Sequence, residues 1–367
     1  MIQHPDIRRG AKFVKTITSQ PPAFRSASPQ PALAARVAQP TAVTTDRGLV
    51  EELSTHLAPE LAAVDAHIGS ILESDTDLVR EVGAYVRGTS GKRLRPIITL
   101  LSARACGHPA GHPDAPKVAA ALELVHTATL LHDDVIDKAP LRRGRPTVNA
   151  KWGDDVAILI ADYLYSNAFG LAMQSLPPQV LSLVCQVTAR MCEGELFQIE
   201  KRDTRLTRED YLRIVRGKTA FLFSACAGLG AVLVGAGDDR TEAMTRFGLG
   251  FGVAFQISDD SLDMVAPDED LGKLHGTDIR NGKQTLPLIL AYGAAPPADR
   301  AALWSAWEAA DADRVFALVA THRGVDRALG EARDIVAEAK AKLAGLPEGP
   351  DARYLARLAD YVVNRNY

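Results

Sequence analysis

From Leu49 almost to the last residue, apolar side chains recur at intervals of three and four, and no segment alternates strictly as a half-buried strand would. In the stretch from Leu49 to Leu72 the repeat is Leu53, Leu57, Leu61, Val64, Ile68 and Ile71. Similar stripes cover Val118–Leu131, Val156–Met173, Val180–Ile199, Thr219–Val234, Met244–Met264, Ala301–Ala310, Val325–Leu343 and Ala352–Val363. Each stripe is an apolar helix face that must be buried against another helix, and without intervening strands a βαβ arrangement is excluded. Pro and Gly punctuate the stripes at Gly107–Pro109, Pro140–Pro146, Pro177-Pro178, Gly235–Gly237 and Pro296-Pro297. Ala225–Gly235 is apolar nearly all round and belongs at the centre. The expected fold class is all-α: a single large helical bundle of about ten helices, spanning residues 48–367.

Residues 1–47 read differently. Arg8, Arg9, Lys12, Lys15, Arg25 and Arg36 face a single acid, Asp6, before Asp46, in a background of Pro, Ser, Thr, Gln and Ala. Such a segment cannot bury enough apolar surface to offset its ordering entropy and is expected to be a disordered extension. A cytoplasmic protein with a flexible tail is the expectation; the alternative is a transit peptide directing the chain to a mitochondrion or plastid. Elsewhere 47% hydrophobic and 24% charged residues support a sizeable core, and a net charge of −3 gives no sign of a nucleic-acid partner. No uninterrupted apolar run reaches the length of a membrane span. The four cysteines, Cys106, Cys185, Cys192 and Cys226, lack metal-site spacing and are expected to be buried thiols.

Two segments place clustered acids inside apolar helical stripes. Asp133, Asp134 and Asp137 follow Leu130-Leu131-His132; Asp259, Asp260 and Asp263 follow Phe255-Gln256-Ile257-Ser258. A spacing of four puts Asp133 and Asp137 on one helix face, one turn apart. Carboxylates so close in an apolar setting repel one another and need a cation. Hard oxygen donors without Cys or His point to Mg²⁺, which takes one or two carboxylates and completes its shell with water and phosphate oxygens. A lone acidic helix end is ordinarily just solvated; two copies of one pattern, each inside an apolar helix, are not explained that way.

Basic residues supply a second means of holding phosphate. Lys92, Arg93 and Arg95 fall at a helix start, where unpaired N–H groups also favour anions. Arg142 and Arg143 follow the first acidic motif, Lys218 and Thr219 precede the most apolar helix, and Lys273 and Lys283 flank the loop after the second motif. Any one of these pairs would be an ordinary solvated feature. Together with the acids they imply diphosphate substrates.

Taken in order, Gly91–Pro96 (GKRLRP), His126–Gly144 (HTATLLHDDVIDKAPLRRG), Gly217–Ala220 (GKTA), Phe255–Asp263 (FQISDDSLD) and Gly276–Pro287 (GTDIRNGKQTLP) make the chain resemble the trans-prenyltransferases, the polyprenyl diphosphate synthases. The resemblance implies a bundle of the isoprenoid synthase type with a central active-site cavity. It implies that Lys92, Arg95 and His126, with Arg143, hold the diphosphate of isopentenyl diphosphate. Asp133, Asp137 and Asp259 would bridge Mg²⁺ to an allylic diphosphate, with Asp134, Asp260 and Asp263 supporting as metal-site acids. Arg142, Lys218, Thr219, Gln256, Lys273 and Lys283 would surround the allylic diphosphate. The catalytic set is then Asp133, Asp134, Asp137, Asp259, Asp260, Lys218 and Arg142. The implied cofactor is Mg²⁺, about three ions per active site with substrate bound. The implied partners are the two diphosphates and a second copy of the chain in a homodimer, with no membrane span, although the product can partition into a membrane. Ser261 stands where an apolar residue is commoner in the family, and His275 is incidental.

The implied reaction is head-to-tail condensation giving an all-trans polyprenyl diphosphate. Its length is expected to depend on Ala128, Thr129 and Val125, about one to two turns before Asp133 on the same helix, where the family's short-chain members carry an aromatic. Their small size, with Leu122 deeper and Tyr165 and Phe169 as candidates for the floor, suggests a product longer than about twenty carbons, of the kind used as quinone side chains. The alternatives are a short-chain (farnesyl or geranylgeranyl) synthase, a non-catalytic subunit of a heteromer, or a terpene cyclase. Asp154-Asp155 and Asp238-Asp239 read as helix starts, Gly248–Gly252 as helix packing, and His108 and His112 as solvated loop residues.

Overall fold

The computed structural model describes residues 47–88, 91–108, 111–174, 177–265 and 276–364. The rest of the basic extension, Lys273 and His275 lie outside these residues; Arg47 already belongs to the first helix. The described chain is helical almost throughout, with one two-residue hairpin between Leu141–Arg142 and Arg145–Pro146.

The bundle contains more helices than the stripes suggest: one stripe is divided, and several helices lie outside the stripes. The first stripe breaks near Pro59 into α1 (Arg47–His56) and α2 (Ala58–Leu72). Then come α3 (Asp77–Arg87), α4 (Leu94–Ala105), α5 (Ala115–Ile136), the short α6 (Val148–Trp152), α7 (Asp154–Met173) and α8 (Pro178–Glu200). Next are α9 (Arg208–Val215), a π-helical turn (Arg216–Ala220), α10 (Phe221–Leu233) and α11 (Asp238–Leu262). The last third holds α12 (Thr277–Arg280), α13 (Leu286–Ala294), α14 (Pro297–Glu308), α15 (Ala312–Thr321), α16 (Gly324–Ala341) and α17 (Pro350–Asn364).

Helix α10 is the hub, as its all-round apolarity requires: every residue from Leu222 to Ala231 is buried, against α4 on one side and α11 on the other. The glycines of Gly248–Gly252 serve this contact. A Cβ on Gly248 would run into the Phe223 carbonyl of α10, so the backbones approach more closely than any other residue allows. Helix α5, which carries the first acidic motif, packs along α7 and α4, while α11 carries the second motif to the same end of the bundle. A smaller apolar cluster around Met264, Ile279, Leu303 and Val315 supports the segment that follows the second motif.

Two expectations change. Cys106 and Cys226 are buried, and desolvation pushes their thiols up to about 11 and about 12. Cys185 and Cys192, two turns apart on α8, are instead exposed on one face of that helix. His108 and His112 are not solvated but half-buried against each other, ring centroids 5.2 Å apart. Helix α7 is long and apolar enough to cross a membrane by length and composition alone. It lies along α5, yet leaves Leu159 and Met173 67% and 68% exposed.

Candidate active site

The last turn of α5 divides its three acids between two faces, as 100° per residue demands. Asp133 and Asp137 project toward α8, the π-helical turn and the segment before α13. Asp133 Oδ2 lies 3.4 Å from Lys218 Nζ, and Asp137 Oδ2 accepts a hydrogen bond from Lys283 Nζ at 2.9 Å. Asp134 points away and is buried; its Oδ1 takes two bonds from Arg142, from Nε at 2.9 Å and Nη2 at 2.7 Å. The pKa directions follow. Burial raises Asp133 despite Lys218, and raises Asp134 despite Arg142, whereas at Asp137 the opposing effect of Lys283 overcomes burial and the pKa falls.

Lys218 has a second carboxylate, which the motifs do not reveal. Glu195 on α8 accepts its ammonium at 2.5 Å and also accepts from Gln198 Nε2 at 3.1 Å. Burial opposes the lysine's charge, but Asp133 and Glu195 together hold its pKa above the ordinary value. The close approach of α8 to the π-helical turn depends on glycine: a Cβ at Gly194 would stand 2.8 Å from Lys218 N and 2.9 Å from Gly217 Cα. Lys283 likewise keeps a raised pKa against burial, through Asp278 at 3.8 Å and Asp137.

The second motif is also divided. Asp259 is half-buried and lines a cavity. Asp260 is buried, with the Tyr211 hydroxyl donating at 2.6 Å and Gln256 Nε2 at 2.7 Å; the Gln256 carbonyl in turn accepts from the Thr219 hydroxyl at 2.8 Å. Burial and the neighbouring Asp278 push the Asp260 pKa well up. Tyr211 sits on α9, whose start is fixed by a capping box between Thr207 and Asp210. Asp263 accepts from the Asp278 backbone N–H at 3.1 Å and so organises the start of α12.

Two cavities flank this arrangement. The larger, about 500 Å³, gathers Lys92, Arg95, His126, Arg143 and Asp259, with apolar walls from Leu72, Leu124, Leu164 and Phe255. His126 is held neutral there by burial and by the Arg95 and Arg143 guanidiniums, so it offers one N–H and one lone pair. Arg93 also lines this cavity, but its guanidinium is committed to carboxylates. It adopts a left-handed conformation (φ 52°) and turns to Asp65 at 2.7 Å and Glu123 at 3.3 Å. The smaller cavity, about 130 Å³, gathers Asp137, Lys218, Thr219, Gln256, Asp260 and Lys283. Arg142 reaches neither and stays with Asp134 in a shallow hollow beside Arg143.

The structure places the residues named for chain length elsewhere. Ala128 and Val125 are fully buried, Thr129 bonds back to the His126 carbonyl at 2.7 Å, and none of them lines either cavity. Helices α5 and α7 run antiparallel here, with His132 and Tyr165 5.8 Å apart and Tyr165 stacked on Phe169 at 6.2 Å. Ala128 is buried on α5, whose most extensive contact is with α7.

Asp133, Asp137 and Asp259 are hard oxygen donors; lysine ammonium groups face the first two, and the third lines the larger cavity. Among the described residues no three His, Cys, Asp or Glu side chains converge on one ion. That donor set fits Mg²⁺, which draws its remaining ligands from water and phosphate, and does not fit a structural zinc.

Residues 76–320 match the family model described as polyprenyl synthetase. The chain is 34% identical over 323 residues to the octaprenyl diphosphate synthase of Haemophilus influenzae, covering 87% of this chain and 98% of the relative. It is also 34% identical over 313 residues to the geranylgeranyl diphosphate synthase of Methanosarcina mazei, covering 83% and 95%. The crystal structure of a polyprenyl synthase from Caulobacter crescentus, complexed with calcium and isoprenyl diphosphate, superposes with a TM-score of 0.82 at 35% identity, covering 86% of this chain and 98% of that one. The chain therefore belongs to the polyprenyl synthetase family and is a prenyltransferase of polyprenyl diphosphate synthesis.

Proposed function

We propose that the protein condenses isopentenyl diphosphate head to tail with an allylic diphosphate in the presence of Mg²⁺, giving an all-trans polyprenyl diphosphate longer than about twenty carbons. The observation that carries the reading is the pair of cavities: one gathers Lys92, Arg95, neutral His126 and Arg143, the other Lys218, Lys283 and Asp137. Each has cations suited to one diphosphate. The relative crystallised with calcium and isoprenyl diphosphate supports a divalent ion in such a site.

In the reaction the allylic C–O bond breaks and diphosphate departs, the double bond of isopentenyl diphosphate forms the new C–C bond, and the resulting cation gives a proton to the released diphosphate, which restores a double bond. When bound, Mg²⁺ would neutralise the departing diphosphate, held by Asp133, Asp137 and Asp259. Lys218 and Lys283 stand where they can transfer their hydrogen bonds from carboxylates to diphosphate oxygens. Thr219 and Gln256 orient the same group through the bonds that fix Asp260. Leu124, Leu164 and Phe255 keep water from the developing cation.

Product length has two readings. Small residues before Asp133 and the octaprenyl-synthase relative favour a long chain. The equal identity to a geranylgeranyl diphosphate synthase, and Ala128 closed against α7, favour a short one. We favour the long chain, because an extending product needs only α5 and α7 to part at alanine and threonine. The exposed apolar residues Ile158, Leu159 and Met173 of α7 support a homodimer that covers this face. Incubation with isopentenyl and farnesyl diphosphates and Mg²⁺, followed by chromatography, tests the function. A longer linear diphosphate is expected; a hydrocarbon or unchanged substrates would overturn it.

A further inference from the structure

We infer that Tyr361, on the last helix, is a positioning residue for the Lys92 ammonium and, through it, for the diphosphate of isopentenyl diphosphate. The inference rests on the proposed placement of that substrate at Lys92. The Lys92 ammonium donates to the Tyr361 hydroxyl at 2.6 Å, across 269 positions of sequence, and lies 5.4 Å from the ring centroid. Its situation differs from that of the other site lysines. Lys218 and Lys283 are each bound to carboxylates, and Arg93 is committed to Asp65 and Glu123. Among the described residues Lys92 has no carboxylate partner; its anchor is a neutral phenol. An ammonium has three N–H donors, so one bond to Tyr361 fixes the head group and leaves two for phosphate oxygens. The full positive charge stays available to an anion, which a carboxylate anchor would have neutralised.

Tyr361 can serve because it does not move easily. It is buried at 4% exposure, and α17 packs on α4, the helix that Lys92 leads into. The helix is tied down along its length. Asp351 bonds His56 at 2.8 Å, Arg357 meets Glu52 at 2.8 Å, and Asp360, the neighbour of Tyr361, pairs with Lys340 at 2.6 Å. A flexible lysine held at its tip by a rigid element has less rotamer freedom to lose when the ligand arrives.

Tyr361→Phe removes the hydroxyl and keeps the ring. Calorimetric titration of the full chain with isopentenyl diphosphate should show Kd raised about five- to tenfold, the scale of one ordinary hydrogen bond, since the lost bond acts on the ligand only through Lys92. The KM for the allylic diphosphate and kcat should stay within about twofold, as expected when only ground-state binding of the other substrate is lost. Lys92→Ala should weaken binding more, and Tyr361→Phe should add nothing in the Lys92→Ala background, because the two side chains act as one unit. An unchanged Kd in Tyr361→Phe while Lys92→Ala weakens binding would overturn the inference alone. So would an equal further loss in the Lys92→Ala background, which would make Tyr361 a support of the fold. An unchanged Kd in Lys92→Ala would sink the placement of the substrate and the inference with it.

Discussion

Lys283 Nζ sits 2.9 Å from Asp137 Oδ2, although 146 positions of sequence separate the two residues. With the contact between Lys218 and Asp133 at 3.4 Å, it shows how the fold tolerates two carboxylates one turn apart on a single helix. Each carboxylate has a lysine ammonium beside it. Because an ammonium is a compact charge on a flexible stem, it can move to a phosphate oxygen when a diphosphate and its metal arrive.

Asp133→Ala or Asp259→Ala should lower the rate at saturating Mg²⁺ by about two to three orders of magnitude, the usual cost of removing one group that stabilises a departing charge. The fold should persist. Burial already raises the Asp133 pKa, so its ionised form is unfavourable in the folded chain and its loss should not lower Tm. Near-normal turnover in either variant would remove these carboxylates from the metal site.

Lys218→Ala should act mainly on kcat, by about 10²-fold, since Lys218 is proposed to hold the allylic diphosphate whose bond breaks. Lys92→Ala should act mainly on KM for isopentenyl diphosphate. Steady-state kinetics with each substrate varied in turn separates the two, and identical patterns would mean the cavities are assigned to the wrong substrates.

Gly194→Ala tests the contact that carries Lys218. The added methyl would stand 2.8 Å from a backbone nitrogen of the π-helical turn, which cannot yield as a side chain can. Overpacking of this kind costs about 1–3 kcal/mol. A lower Tm together with a lower kcat is expected, and an unchanged kcat would show that the turn does not position Lys218.

Ala128→Phe should shorten the product to about fifteen or twenty carbons while leaving the first condensation intact, because position 128 lies about one turn and a half below Asp133, roughly 7 Å at the helical rise. Since Ala128 is fully buried, some loss of Tm accompanies the change. Mass analysis of the products decides: an unchanged long product would place the growing chain along another wall.

The all-α class, the two acidic motifs and the extent of the longer helices were legible because they depend on local spacing. Four residues make one helical turn wherever Asp133 and Asp137 occur. The different directions of Asp259, Asp260 and Asp263 were not legible. Asp260 turns inward because Tyr211, 49 residues away, donates to it, and Asp263 because the α12 backbone does. Glu195 left a faint signal, an acid inside the apolar stripe of α8. Tyr361 left none, since a tyrosine on an amphipathic helix looks like any core residue until the helix that leads out of Lys92 is packed against it. The number of helices was underestimated mainly because short helices such as Asp77–Arg87, Arg208–Val215 and Ala312–Thr321 give too few turns for a stripe to show. In one place Pro59 interrupts a stripe without interrupting its apolar period.

The most direct test of the account is the wild-type reaction with labelled isopentenyl diphosphate and farnesyl diphosphate, run with Mg²⁺, with a chelator, and with Mg²⁺ restored after chelation. The account predicts label in linear all-trans polyprenyl diphosphates longer than about twenty carbons, only when Mg²⁺ is present, and recovered on its return. Label incorporated equally well under chelation, or none incorporated with both substrates and Mg²⁺ supplied, would contradict it.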